Sequence, residues 1–314
     1  MRAVVTGGLG FIGSNLAIRL VRQGTRVTII DSSVEGCGAN LSNIEEIRDS
    51  VRVIPLDIGE AAQFSDELAQ ADVIFNLAGE ISHINSMHFP ERDLQLNTVA
   101  QLRFLLECSK VKHGVRVVYA STRQIYGAPD YLPVDERHPI RPIDFNGIHK
   151  AAACMYHLMM SRTGELDAIV LRLTNVYGPR IALNVPAQGF LSTFLRRALA
   201  RDGIEIFGDG RQLRDPVYVD DVVDAFLLAG SVSGLCSRAY NVGGAETLSL
   251  RQIAEATARV AGGLELSERS FPNAIKPIDI GSYHSDCSLI RRELGWTPRI
   301  SFEEGLRRTL AYYA

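Results

Sequence analysis

One stretch constrains the fold of this chain more than any other: Thr6-Gly7-Gly8-Leu9-Gly10-Phe11-Ile12-Gly13, between a β-branched run at 2–6 and an amphipathic run at 11–23. In the second run Ile12, Leu16 and Leu20 recur every four residues, the period of a helix face. Gly8, Gly10 and Gly13 therefore satisfy GxGxxG in the strand–turn–helix setting that gives the pattern meaning. Glycines permit the tight turn and let a pyrophosphate approach the backbone. The helix N-terminus then offers unpaired N–H groups and the positive end of its dipole. Gly7, Gly8, Gly10, Phe11, Ile12 and Gly13 are the expected phosphate cradle.

The alternation continues. Runs at 26–30, 52–55, 73–77, 115–120 and 168–173 read as strands separated by helical patterns. This predicts right-handed crossovers and a doubly wound parallel sheet with helices on both faces, an α/β Rossmann fold. Past Asn175 the pattern loosens into a helix near 189–200, a strand at 204–207, and helices near 219–229, 250–261, 288–294 and 302–312. The expected organisation is an NAD-binding domain over 1–178, rejoined by about 209–240, with a smaller α/β substrate lobe over 179–314.

Asp31 closes the second run, at about the 20-residue offset expected of a ribose-binding acid. A carboxylate there accepts from a 2′-hydroxyl and repels a 2′-phosphate. Ser32, Ser33 and Val34 follow it, with no arginine, so NAD is expected over NADP. Asp57 and Ile58, after the third run, suit the adenine edge. The net charge of −3 excludes a basic field for nucleic acid or anionic membrane, and no apolar run is long enough to span a bilayer. Five scattered cysteines without a CxxC pair indicate neither a zinc site nor a disulfide framework, and no metal is expected. With no signal-peptide pattern at the start, the expectation is a cytoplasmic protein.

Further along stand Asn76-Leu77-Ala78-Gly79, Asn97, Ser121-Thr122, Tyr126-Gly127, Arg172 to Pro179, Phe207 to Gly210, Arg214 to Asp221 and Leu294 to Pro298. In combination with the glycine turn, and over nearly the whole chain, these resemble the extended short-chain dehydrogenase/reductase family. The resemblance is to its NAD-dependent nucleotide-sugar epimerases and dehydratases of the UDP-glucose 4-epimerase type. It implies a bound NAD and a nucleotide-sugar substrate. By the same resemblance Leu77, Ala78, Gly79, Asn97 and Ser121 border the cofactor, Thr122 meets a sugar hydroxyl, and Lys150 bonds the nicotinamide ribose. Asn175 lies on the substrate side, Arg214 grips the nucleotide phosphates, and Lys276 stands where relatives carry a second arginine.

The family's YxxxK is broken. Counting back from Lys150, the tyrosine position holds Asn146, and an amide is no base near neutral pH. Three substitutes present themselves: Lys150 itself, one turn from Asn146 on the same face; His149, which titrates in the right range; and Tyr126, from the loop that carries Thr122. The same loop has Arg123 and Gln124 where dehydratases resemble STDEVYG. Glutamine cannot shuttle a proton, so 4,6-dehydration is disfavoured. Arg123 suits either a carboxylate on an acidic sugar or a structural pair with Glu80 or Asp135. Three functions are compatible with these residues: an epimerase working through a transient keto-sugar, a net NAD-dependent sugar dehydrogenase or ketoreductase, and a non-catalytic NAD or nucleotide-sugar sensor. A homodimer is expected through the helix that begins near Asn146, where Met155, Leu158, Met159 and Met160 with 151–153 exceed one sheet-facing stripe.

Overall fold

The structure is a computed structural model that describes residues 1–185, 189–271 and 278–314. Six strands appear in chain order as β1 (Arg2–Thr6), β2 (Arg26–Ile30), β3 (Val51–Ile54), β4 (Val73–Asn76), β5 (Arg116–Thr122) and β6 (Asp167–Leu173). With Arg238–Val242 at the far edge they form one seven-stranded sheet, ordered Arg238–Val242, β6, β5, β4, β1, β2, β3. Every pairing in it is parallel. The winding reverses between β1 and β4. The chain leaves those two strands toward opposite faces and opens a crevice beyond their C-terminal ends, where open α/β sheets bind ligands.

The helices are α1 (Phe11–Arg22), α2 (Ser65–Gln70), α3 (His83–His88), α4 (Pro90–Leu94), α5 (Ala100–Val111), α6 (Phe145–Arg162), α7 (Phe190–Ala200), α8 (Val219–Ser231) and α9 (Leu250–Val260), followed by Ser288–Leu294 and Phe302–Tyr313. Successive strand residues point to opposite faces, so β1 feeds two cores. Val5 packs with Leu16 and Leu20 of α1 and Phe226 of α8. Val4 packs with Ile74, Val117 and Phe104 and Leu105 of α5. Burial on both sides is why these strands read as continuous apolar runs. A separate core of Leu191, Phe194, Ile204, Ile206, Ile253 and Phe302 supports the smaller C-terminal part. That part is tied to the sheet layer through Asp221: Trp296 Nε1 donates to its carbonyl at 2.8 Å, and its Oδ2 accepts from the Ile300 N–H at 3.1 Å. The strand that rejoins the sheet lies at Arg238–Val242, at and just beyond the end of the expected 209–240 segment. None of the described helices is long and apolar enough to cross a membrane.

Candidate active site

The glycine turn is built by contact. Gly7 has φ +65°, and a Cβ there would sit 2.8 Å from the Leu77 carbonyl carbon, so the turns after β1 and β4 touch at this residue. A Cβ on Gly13 would lie 2.2 Å from the Gly7 carbonyl oxygen, so α1 packs directly on the turn. Gly10 caps α1 without a side-chain bond, and no acidic residue follows in the first turn. The N–H groups of Phe11, Ile12 and Gly13 therefore have no intrahelical partner and suit an anion. Gly7, Gly10, Phe11, Ile12 and Gly13 line the cleft. Gly8 does not, contrary to expectation: a Cβ there would meet the Ile29 side chain at 2.7 Å, so its smallness serves packing against β2 rather than phosphate contact.

Asp31 lines the cleft at the end of β2, its oxygens accepting from the N–H groups of Leu9 and Ser33, each at 2.9 Å. Burial pushes its carboxyl pKa up, and those two amides offset part of the rise. Each oxygen keeps lone pairs for ribose hydroxyls. Asp57 and Ile58 also line the cleft, with Asp57 Oδ1 bonded to the Gly59 N–H at 2.7 Å. Leu77, Ala78 and Gly79 follow β4, held by Thr6 Oγ1, which accepts from the N–H groups of Leu77 and Ala78 at 3.1 and 3.2 Å. The glycine cradle, the unshared helix N-terminus and an acid at the ribose position fit NAD, which would lie with its phosphates on α1 and its ribose on Asp31. Asn97 is not part of this wall. It is fully buried behind Gly79 and donates to the Glu80 carbonyl at 3.1 Å, so it shapes the turn instead of touching a cofactor.

The same cleft continues to Ser121, Thr122, Arg123, Gln124, Asn146, Lys150 and Asn175. Thr122 ends β5, its Oγ1 accepting from the Gln124 N–H at 3.2 Å. The Ser121 hydroxyl and the Asn175 Oδ1 are buried without partners among the described residues. Lys150 is buried with no carboxylate in ion-pair contact among them, and desolvation pushes its pKa down to about 8 despite Asp93 and Glu80 nearby. The Asn146 amide is tied up: its Nδ2 donates to the Glu80 carbonyl at 3.0 Å and to Asp93 Oδ2 at 2.9 Å. Both amide hydrogens are thereby used, and Asn146 has only an acceptor left to offer a substrate.

Several expectations are corrected. Tyr126 does not reach the cleft. Its ring is fully buried and its hydroxyl is shared between Asn241 Oδ1 and Arg172 Nη1, both at 2.7 Å, while burial pushes its pKa up to about 12. His149 is turned away as well, with Nδ1 on Asp93 Oδ1 at 2.7 Å. Arg123 pairs with neither Glu80 nor Asp135. Its guanidinium is buried 5.0 Å over the Tyr283 ring, and its Nη1 has no partner among the described residues. Arg214 lies outside the cleft wall, donating to the carbonyls of Leu213 and Gly281 at 2.7 and 2.5 Å, 3.9 Å from Asp279. Burial, then the nearby Arg123 charge, lowers its pKa to about 9. Lys276 lies outside the described residues.

Sequence reasoning passed over His83, which lines the cleft beside Gln124, and Asp144 and Asp93, which hold its neighbours from behind. The only signal was Ser82 ahead of His83, a helix-start residue whose side chain accepts from the Asn85 N–H at 3.0 Å.

Comparison with known proteins bears on this geometry. The model of the "NAD dependent epimerase/dehydratase family" matches residues 3–243. The chain is 34% identical over 320 residues to a UDP-glucose 4-epimerase of Mycolicibacterium smegmatis, covering 100% of this chain and 98% of that protein. It superimposes on a UDP-glucose 4-epimerase of Thermotoga maritima, solved with UDP-glucose, with a TM-score of 0.90 at 29% identity, covering 100% and 98% of the two chains. It also superimposes on MoeE5, solved with UDP-glucuronic acid and NAD, with a TM-score of 0.86 at 30% identity, covering 100% and 99%.

Proposed function

The chain belongs to the NAD-dependent epimerase/dehydratase family, and from that premise we propose that it epimerises a nucleotide-activated sugar through a transient keto-sugar. One observation carries the reading: a single cleft runs from the glycine turn and Asp31, the cofactor end, to Thr122, Asn146, Lys150 and Asn175, the substrate end. Bound NAD⁺ supplies a hydride acceptor that returns what it takes. The chain supplies the rest. Thr122 orients the sugar hydroxyl, and Lys150 holds the nicotinamide ribose and keeps a positive charge beside the reacting oxygen. The buried guanidinium of Arg123, which lines the cleft with an N–H lacking a partner among the described residues, favours an anionic group of the substrate.

Elimination of water is disfavoured by the wall itself. Among the described residues that line the cleft the only carboxylates are Asp31 and Asp57, both at the cofactor end, so no Asp–Glu pair stands beside Thr122 for the acid–base steps of a dehydratase. The test is single-turnover NADH formation with a panel of UDP-, dTDP- and GDP-sugars, followed by analysis of the released sugar. An altered hydroxyl configuration without net NADH supports epimerisation. Stoichiometric NADH identifies a dehydrogenase instead. Tight nucleotide-sugar binding with neither outcome identifies a sensor. Lys150→Met is expected to abolish NADH formation and weaken NAD binding; unchanged activity in that variant removes Lys150 from the mechanism.

A further inference from the structure

Breaking YxxxK leaves the site without its usual proton acceptor, and the wall of the cleft offers few replacements. Among the described lining residues the side chains able to exchange a proton are Asp31, Cys37, Asp57, His83 and Lys150. Asp31 and Asp57 follow β2 and β3. Three strand spacings separate β5 from β2, about 14 Å, so neither acid reaches a hydroxyl held at Thr122. Burial and the Glu80 carboxylate push the Cys37 thiol up to about 12. Lys150, its pKa pulled down to about 8 by burial, is assigned above to the nicotinamide ribose. His83 remains.

We propose that His83, oriented by Asp144, is the proton acceptor and donor of this site in place of the tyrosine that Asn146 replaces; the proposal rests on the epimerase reading above. His83 opens α3 and Asp144 caps α6, so two helix starts converge on the cleft. The two are joined structurally, since the Asn146 N–H donates to Ser86 Oγ at 3.2 Å. His83 Nδ1 stands 3.1 Å from Asp144 Oδ2, a contact bent away from the ring N–H axis. Asp144 is itself buried, and its Oδ1 accepts from the Gly147 N–H at 2.6 Å. A small rotation of the ring toward this fixed carboxylate would straighten the contact, hold the imidazole proton on Nδ1 and leave Nε2 as a lone pair. On the cleft side Nε2 meets Gln124 Nε2 at 2.6 Å, the amide N–H donating when the imidazole proton is on Nδ1. Gln124 is two residues from Thr122, so a hydroxyl bound at Thr122 has one neutral amide to displace before it meets the imidazole.

The charged groups around His83 are Asp144 at the start of α6, Arg123 after β5, whose charge also acts on Asp144, and Lys150 from α6. Glu80, after β4, is turned away and accepts from the N–H groups of Ile81 and Ser82. In oxidation the sugar hydroxyl gives its proton to His83 Nε2. The C–H electron pair of the same carbon leaves as hydride to NAD⁺, and a ketone remains. In the return half the ketone carbon takes hydride from NADH on its other face, and its oxygen takes the proton back from the imidazolium.

The experiment uses NAD-loaded wild type, His83→Gln, His83→Gly and Asp144→Asn, the last chosen because asparagine still caps a helix. Expected results are NAD affinities within about twofold of wild type and single-turnover NADH formation reduced on the order of 100-fold or more in His83→Gln. Added imidazole should restore part of the rate in His83→Gly but not in His83→Gln. Asp144→Asn should lose rate and shift the pH profile. A readout independent of turnover is the ¹⁵N spectrum of labelled histidine, in which the resonance absent from His83→Gln should move on adding UDP-glucose. A wild-type-like rate and pH profile in His83→Gln overturns the proposal. If wild type itself turns over no sugar, the epimerase reading falls first, and a His83 resonance unmoved by UDP-glucose then overturns the proposal as well.

Discussion

At the residue scale Gly79 is where the two halves of the site touch. Its φ is +149°, and a Cβ there would lie 2.5 Å from Asn97 Oδ1 and 2.7 Å from Lys150 Nζ. Gly79→Ala is therefore strained by conformation and by space, and it pushes on the lysine that would hold the cofactor. We expect NAD affinity to fall about tenfold or more in calorimetric titration, a loss of some 1.4 kcal/mol; equal affinity contradicts this account of the wall. Arg123 makes the opposite case. A buried guanidinium without an ion pair among the described residues opposes folding of the empty protein. Arg123→Met should leave the melting temperature equal or higher while weakening UDP-glucuronic acid more than UDP-glucose if a sugar carboxylate is the partner. Equal weakening assigns Arg123 to the phosphates, and a lower melting temperature assigns it to packing on Tyr283.

At the scale of the element, α6 carries much of the substrate end. Asp144 caps it, Asn146 and Lys150 face the cleft one turn apart, and His157 is buried two turns further on. His157 Nδ1 donates to the Ala153 carbonyl at 2.8 Å, and its Nε2 meets Asn76 Nδ2 at 3.2 Å, an arrangement that needs the neutral ring. It also stacks on Tyr119 with ring centroids 4.1 Å apart. Burial, and the Lys150 charge after it, pulls its pKa down to about 4. Between about pH 4 and 6.5 the unfolded chain binds the proton that the folded one refuses, so stability is full above pH 6.5 and is lost as pH falls toward 4. The span corresponds to roughly 3 kcal/mol. His157→Gln should flatten that acid limb in denaturant titrations at pH 4.5 and 7; an identical pH dependence in the variant would show that His157 does not set it.

For the whole molecule the open question on the surface is an apolar stripe. Ile148, Met155 and Met159 of α6 are 48%, 51% and 43% exposed, and Leu106 of α5 is 54% exposed. The helix expected to pair two chains thus divides its apolar residues, with Ala151, Ala153 and Met160 packed inward and Met155 and Met159 outward. A two-fold pairing of α5 and α6 would bury the outward set. We expect light scattering at micromolar concentration to give about twice the mass of one chain, and the double variant Met155→Glu, Met159→Lys to give the mass of one. A monomeric wild type contradicts the pairing.

What the linear order determined was everything carried by period and punctuation. The strands at 2–6 and 26–30 and the helix from Phe11 match the expected bounds to within a residue, because alternating burial and a glycine turn are local. The cradle of Gly7, Gly10 and Gly13 and the acid at Asp31 were legible for the same reason: one strand, one turn and one helix make them. What the tertiary structure alone decided was direction. Tyr126 and His149 carry suitable groups at suitable spacings, yet one is locked on Asn241 and Arg172 and the other on Asp93, and each partner lies more than 45 positions away in the chain. His83 and Asp144 meet across a gap of more than 60 positions through the ends of two helices. Hydrogen bonds of that range form only once the sheet has brought its crossovers together, so no spacing in the sequence records which side chain turns into the cleft and which turns away.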